Sequence, residues 1–174
     1  MAGIFLSYRR TNGAQACRVR EWLVRRLGAD AVFMDVENIP FAVSFPDYIK
    51  KEIANSKVML ALIGDDWATR INQPNDQVLP EIEQALSNQI PVLPVLIGNT
   101  AMPNPDKLPS SIANIARQNA ERVGILNDFD AHMRLLLPKI EAILGALATD
   151  SIVTSNPEVI RQACDGITRF LFET

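Results

Sequence analysis

Two arginines that suit an anionic ligand follow the first apolar run of the chain. That run, residues 3–7, is typical of a β-strand, and the residues directly after it are Tyr8, Arg9 and Arg10. In open α/β sheets, ligands bind at the carboxyl ends of the strands. A guanidinium there suits a pyrophosphate through paired N–H donors. Alternatively, either arginine forms a structural ion pair with Asp35 or Glu37 at the end of the next strand, and both interpretations stay open.

Histidine and cysteine are too scarce for several common kinds of site. His132 is the only histidine, which excludes most multi-histidine metal sites and argues against a Ser–His triad. We expect it to be an exposed helix residue. Cys17 and Cys164 lie far apart, in no metal-like spacing, and are typical of a reduced cytosolic protein. The sequence therefore predicts no bound metal.

The overall composition is that of an ordinary globular domain. The 174 residues are 48% hydrophobic and 21% charged, and the net charge of −3 gives no general attraction to nucleic acid or to an anionic membrane. No apolar run approaches the ~20 residues of a membrane helix. The N-terminus has neither a basic region nor a cleavage site. We therefore expect a cytoplasmic protein without a signal peptide.

Short apolar runs alternate with amphipathic stretches, the pattern of repeated β–α units and a parallel sheet. Five strands are predicted, at residues 3–7, 31–35, 57–63, 91–96 and 120–125. Most are continuously apolar, as expected when helices cover both faces of the sheet. Apolar residues at helical spacing predict one helix after the first strand and another before the third. A short helix is also predicted over residues 76–88.

The C-terminal part of the sequence divides into three segments. An apolar face from Met133 to Leu147 predicts a long helix, with Asp128 or Asp130 as its N-cap. We expect the main domain to span residues 1–147, a linker 148–156 and an amphipathic helix 157–174. That last helix needs a partner surface, which is the main domain, another copy or a further module.

Four segments, in this order and spacing, resemble the Toll/interleukin-1 receptor (TIR) domain family, especially its bacterial NAD+-cleaving members. They are IFLSYRR (4–10), VFMDVENIP (32–40), LALIG (60–64) with Trp67, and PEIEQAL (80–86) with IPVLPVL (90–96). They are also similar to the TIR domain of the animal axon-degeneration NADase. The resemblance covers residues 3–147 and implies a three-layer, flavodoxin-like α/β fold with a five-stranded parallel sheet.

The resemblance also implies cleavage of NAD+, as substrate rather than cofactor, at its nicotinamide–ribose bond. Nicotinamide departs from a positively charged pyridinium, so it leaves neutral and needs no general acid. One carboxylate can then stabilise the oxocarbenium-like ribose. Glu81 matches the family's catalytic glutamate, whereas by itself it could simply complement a helix dipole. Glu83, two residues on, points to a different side of the helix and is expected to be solvated.

The family pattern implies further contacts with the substrate. This chain departs from that pattern at one position. Glu37 matches a loop acid beside the ligand, and Asp35 begins the loop that completes the mouth of the site. Many active relatives have a tryptophan four residues before the glutamate, where this chain has Gln77. A glutamine cannot stack on nicotinamide as an indole can. Either Trp67 or Phe33 supplies that wall, or the activity is weak; for Trp67, plain packing is an equal alternative.

Two other functions remain open. A non-catalytic adaptor working through TIR–TIR contact is favoured by Gln77, and a nucleoside deoxyribosyltransferase-like enzyme would also use a glutamate at an N-glycosidic bond. The resemblance further implies head-to-tail assembly with other TIR copies, in which a neighbour's loop completes the pocket. By analogy with bacterial antiphage systems, a sensor domain would follow this chain.

Overall fold

Five parallel strands form the sheet at the centre of the computed structural model, which describes residues 3–34 and 45–155. The strands are β1 (Ile4–Ser7), β2 (Val32–Met34), β3 (Val58–Ile63), β4 (Val92–Ile97) and β5 (Glu121–Val123). Each overlaps a predicted strand and ends within two residues of its bounds. The predicted five-stranded parallel α/β fold is confirmed.

Helices cover both faces of this sheet, which is why its strands are apolar on both sides. They are α1 (Gly13–Leu27), α2 (Phe45–Asn55), α3 (Trp67–Arg70), α4 (Val78–Ser87) and α5 (Phe129–Ser155). All six residues of the central strand β3 are buried. The arrangement is the predicted three-layer one, with α1 and α5 on one face and α2, α3 and α4 on the other.

The core is divided into two clusters by the sheet, because successive side chains of a strand point to opposite faces. The first cluster contains Ile4 and Leu6 of β1 with the buried faces of α1 and α5. The second cluster contains Phe5 with the buried faces of α2, α3 and α4. Odd-numbered residues of β1 therefore face α4, and this parity decides which side chains can reach it.

The strand order reverses between β1 and β3, and in this architecture such a reversal forms a crevice at the carboxyl ends of the two strands. The order is β2-β1-β3-β4-β5, so the chain leaves β1 toward β2 on one side and continues with β3 on the other. Ser7 is paired with Ala61 at this edge. Ligands of open α/β sheets bind where the strand order reverses in this way. The residues that follow β1 and β3 are therefore candidates for a ligand site.

The last described helix is longer than predicted. Helix α5 continues to Ser155, across most of the segment 148–156 that we expected to be a linker. Residues 148–155 contain neither glycine nor proline, the two residues least favourable inside a helix, which is consistent with the continuation of α5 through them. The predicted helix 157–174, with Cys164, lies outside the described residues. Within the described ranges, no helix is both long and apolar enough to cross a membrane.

Candidate functional site

A hydrogen bond joins the end of β1 to the beginning of α4. The hydroxyl of Ser7, the last residue of β1, donates to Oε2 of Glu81 at 2.6 Å. The Ser7 side chain is buried, whereas Glu81 is half-buried. The candidate catalytic carboxylate therefore lies at the carboxyl end of β1, where it is hydrogen-bonded to a buried hydroxyl and is still partly open to solvent.

Helix α4 aims Glu81 at the sheet because of its apolar spacing. Val78, Ile82 and Ala85 recur at helical intervals and pack into the second cluster. Glu81 follows Val78 by three residues and precedes Ala85 by four, so it lies at the border of this buried face. Pro80 is the third residue of the helix, where its missing N–H breaks no intrahelical hydrogen bond.

Arg9 makes a second connection between the end of β1 and the start of α4. Its Nη1 donates to Oδ1 of Asp76 at 2.9 Å, and its Nη2 donates to Oδ2 of Asp76 at 3.1 Å and to the carbonyl oxygen of Trp67 at 2.9 Å. Arg9 and the Asp76 side chain are 5% and 2% exposed. Its ion-pair partner among the described residues is thus Asp76, two residues before α4.

Glu83 lies on another side of the helix, as predicted. Its Oε1 accepts a hydrogen bond of 2.6 Å from the hydroxyl of Ser111, in the segment between β4 and β5. It is half-buried rather than fully solvated. Glu81 and Glu83 therefore have separate surroundings, and only Glu81 is hydrogen-bonded to the end of β1.

The three aromatic residues proposed to contact the substrate are buried in this structure. The ring of Phe33 stacks on Phe5, with centroids 5.3 Å apart, in the second cluster. Trp67 is fully buried in the same cluster. Tyr8 is packed in the first cluster, since it is an even-numbered residue after β1. Each ring has a packing role here, and its contact with a substrate stays a prediction.

The remaining predicted site residues fall into two groups. Arg10 is exposed in a short 3-10 turn after β1, and Gln77 is exposed one turn before Glu81, whose N–H donates to the Gln77 carbonyl at 3.4 Å. Asp35 and Glu37 lie outside the described residues. Ser7 and Asp76 were not among the predicted site residues, although Ser7 lies on the same side of the chain as Arg9 at the end of β1.

His132 is half-buried rather than exposed. Its Nδ1 accepts a hydrogen bond of 3.0 Å from the N–H of Gly124 and lies 3.6 Å from Oδ2 of Asp128. Asp128 directly precedes α5, as predicted for its N-cap position. Across the residues that the structure describes, no three His, Cys, Asp or Glu side chains are grouped in a way that could hold a metal ion.

Comparison with solved structures supports the fold. The TIR domains in the structure of the activated Roq1 resistosome directly recognizing the pathogen effector XopQ are 14% identical to this chain, with a TM-score of 0.64, over 80% of this chain and 99% of that one. A metazoan TIR-STING receptor from C. gigas, in complex with 2',3'-cGAMP, is 17% identical, with a TM-score of 0.51, over 82% of this chain and 39% of that one. Likeness at these identities shows the fold alone.

Sequence comparison shows the family more directly. No curated protein matches the chain. The family model described as the TIR domain matches residues 4–137, well over half of the chain, from the first residue of β1 into α5. The matched range contains both Ser7 and Glu81. This chain therefore belongs to the TIR domain family.

Proposed function

We propose that this TIR domain cleaves NAD+ at the bond between nicotinamide and ribose, with Glu81 as the essential carboxylate. The observation that carries the proposal is the 2.6 Å hydrogen bond that holds the half-buried Glu81 carboxylate at the carboxyl end of β1. That position lies beside the crevice where the strand order reverses, the common ligand site of this architecture. Membership of the TIR family and the resemblance of the residues around Glu81 to its NAD+-cleaving members support the same activity.

The chemistry needs few groups. The bond between the pyridinium nitrogen and C1′ of the ribose breaks, and its electron pair neutralises the nitrogen, so nicotinamide leaves without an added proton. The ribose becomes oxocarbenium-like, and a fixed carboxylate beside it stabilises the developing positive charge. A water oxygen then adds to C1′ and loses a proton, giving ADP-ribose. Addition of an atom of the same molecule instead gives a cyclic isomer.

The surroundings of Glu81 suit this electrostatic role. Ser7 fixes the carboxylate through a hydrogen bond from a buried strand end, so little reorganisation is needed as charge develops. The first turn of α4 also favours a negative charge, because its backbone N–H groups point toward it. A rigid, correctly placed anion is the main requirement of the reaction.

A second candidate function is a non-catalytic adaptor that acts through TIR–TIR contact. It is favoured by the exposed Gln77, one turn before Glu81, and by the burial of both Phe33 and Trp67. No indole or phenyl ring from these positions is exposed to stack on a nicotinamide. An adaptor would need the fold and its surface, but not the Glu81 carboxylate.

Assembly is part of the proposal. The solved TIR relatives include domains of an activated resistosome, and the family resemblance implies that a neighbouring copy completes the pocket. We propose that activity requires contact between copies of this chain. Specific activity should then rise with protein concentration, whereas a self-sufficient monomer would give a flat profile.

The test is nicotinamide release from NAD+ by the wild type, Glu81→Gln and Glu83→Gln, each over a concentration series from nanomolar to high micromolar protein. Glu83→Gln is the matched control, because it makes the same chemical change two residues away. We expect Glu81→Gln to lose at least about 100-fold of the rate and Glu83→Gln to keep it. Equal rates in all three proteins would remove Glu81 from catalysis, and no release at any concentration would favour the adaptor.

A further inference from the structure

The ion pair of Arg9 and Asp76 holds the start of α4 at a point separate from Ser7. Its four polar atoms are almost fully buried, with Arg9 5% and the Asp76 side chain 2% exposed. The pair is bidentate, with nitrogen–oxygen distances of 2.9 and 3.1 Å. Planar pairing of this kind fixes orientation as well as distance. Asp76 is therefore held in one position relative to β1.

Asp76 transmits that position to the helix. Besides binding Arg9, its Oδ1 accepts a hydrogen bond of 3.0 Å from the N–H of Val78, the first residue of α4. Such side-chain acceptors satisfy the otherwise unpaired N–H groups of a first turn. Glu81 lies three residues further on, in that same turn. The orientation of the turn, and of Glu81 with it, thus depends on Asp76.

Both holding points lie on the same side of the chain, Ser7 at the end of β1 and Arg9 just after it. Ser7 and Arg9 are two residues apart, and Arg9 has an extended backbone with φ −91° and ψ 145°. Side chains two residues apart in an extended chain point to the same side. Ser7 contacts the carboxylate itself, and Arg9 holds the residue that begins the helix. Arg9 also bonds the carbonyl oxygen of Trp67, so α3 is tied to the same point.

We infer that Arg9 and Asp76 are positioning residues for Glu81: their buried ion pair sets the orientation of the first turn of α4, and so the place of the carboxylate. This inference rests on the proposed function. Neither residue needs to touch the substrate for this role. Displacement of a reacting group by about 1 Å can cost about 100-fold in rate, so the orientation of this turn has a direct effect on the reaction.

The test uses Asp76→Asn, which keeps the size of the side chain but removes its charge. The matched control is Asp66→Asn, since Asp66 forms an ion pair with Arg70 at 3.3 Å that is largely open to solvent. For each protein we would measure kcat and KM for NAD+ at saturating protein concentration, the thermal midpoint, and the ¹³C signal of the Glu81 side-chain carboxyl. Arg9→Lys, which keeps the charge but not the paired donors, is the second variant should Asp76→Asn fail to fold.

We expect Asp76→Asn to lower kcat by about 10-fold or more while KM changes by no more than about twofold, because the substrate contacts remain. The Glu81 carboxyl signal should move in Asp76→Asn and in Arg9→Lys, but not in Asp66→Asn. In a Glu81→Gln background, Asp76→Asn should cause no further loss of rate, since both changes act through one group. A purely structural role would lower the thermal midpoint without these effects.

Failure of the inference differs from failure of the proposed function. A wild-type kcat with an unmoved Glu81 signal in Asp76→Asn would overturn the inference while leaving the enzyme intact. So would an equal further loss in the Glu81→Gln background. If wild type and Glu81→Gln released nicotinamide equally, the proposed function would fall. The ¹³C signal would then still decide whether the ion pair orients Glu81.

Discussion

The two faces of the sheet have equally apolar cores but differ in the polar residues buried at the edge. On the face of α1 and α5, the buried residues of the first cluster are all apolar or aromatic, and polar contacts such as Trp22 with Asp130 lie at its rim. On the face of α2, α3 and α4, the second cluster is equally apolar, but the buried Ser7 and Arg9 lie at its carboxyl edge. The same strand, β1, supplies residues to both faces.

The apolar core residues on both faces stabilise the domain, whereas the buried polar residues lie where we propose the site. Burying a hydroxyl or a charge is costly unless each polar atom has a partner. The hydroxyl of Ser7 and the two terminal nitrogens of Arg9 meet that condition because Glu81 of α4 and Asp76 just before it accept their hydrogen bonds. A strand end that served the core alone would have no reason to bury these groups. The second face therefore has a polar edge, formed by the buried Ser7 and Arg9, and this edge is where we propose the site.

The largest effect is expected from matched substitutions to alanine, one in the core of each face, which test whether only the second face supports the proposed site. Leu136 of α5 and Ile82 of α4 are both fully buried, one in each cluster. Each change to alanine should lower the free energy of unfolding by about 2–5 kcal/mol. Only Ile82→Ala should also lower nicotinamide release per folded molecule, since Ile82 anchors the turn that holds Glu81. Denaturant unfolding and single-concentration assays measure the two quantities; equal specific activities would show that the faces are not functionally distinct.

A smaller effect is expected for Ser7→Ala, which removes one hydroxyl at the polar edge of the second face. Hydrogen bonds to charged groups contribute about 1.5–3 kcal/mol, so loss of the bond to Glu81 should reduce the rate by about 10-fold or more. Ser111→Ala is the control, because it removes the hydroxyl that donates to Glu83 at the same distance. Rates that fall equally in both variants would argue against a specific role for Ser7.

Most of the fold was predictable because its signals are local. Continuous apolar runs such as residues 58–63 are bounded by polar segments and alternate with amphipathic stretches. This pattern predicts parallel strands that are covered on both faces. The linker was the exception. Its polar composition suggested irregular structure, but residues 148–155 lack the glycine and proline that end a helix, and α5 continues through them. Polarity alone did not mark the boundary.

The site was only partly predictable because its contacts span long distances in sequence. Glu81 could be identified by its resemblance to a family residue, yet its partner Ser7 is 74 positions away. One open interpretation paired Arg9 or Arg10 with Asp35 or Glu37, which lie outside the described residues; among the described residues the partner of Arg9 is Asp76, 67 positions away. Which acid reaches Arg9 depends on how α4 packs, and no short-range pattern encodes that packing. The alternation of side chains along β1 and the residues after it places Phe5, Ser7 and Arg9 on one side, and this pattern could have indicated that Ser7 and Arg9 lie together.

The smallest expected effect comes from the rim of the first face and is a change in pH dependence. The indole N–H of Trp22 donates to Asp130 at 2.6 Å and, together with Arg134, holds the pKa of that carboxyl below its usual range. A depressed pKa in the folded state means that the ionised group adds stability above the pKa of the unfolded chain, and that this stability is lost as pH falls through the folded-state value.

Trp22→Phe removes the largest cause of that shift, so the pKa of Asp130 should rise toward its ordinary value and stability should fall less steeply below about pH 4. An NMR titration of Asp130, with denaturant midpoints at neutral and acid pH, would measure both. Arg134→Gln should act in the same direction through the second cause. Nicotinamide release should not change, because Asp130 and Glu81 lie on opposite faces of the sheet; a lower rate in Trp22→Phe would mean that the first face also influences the site.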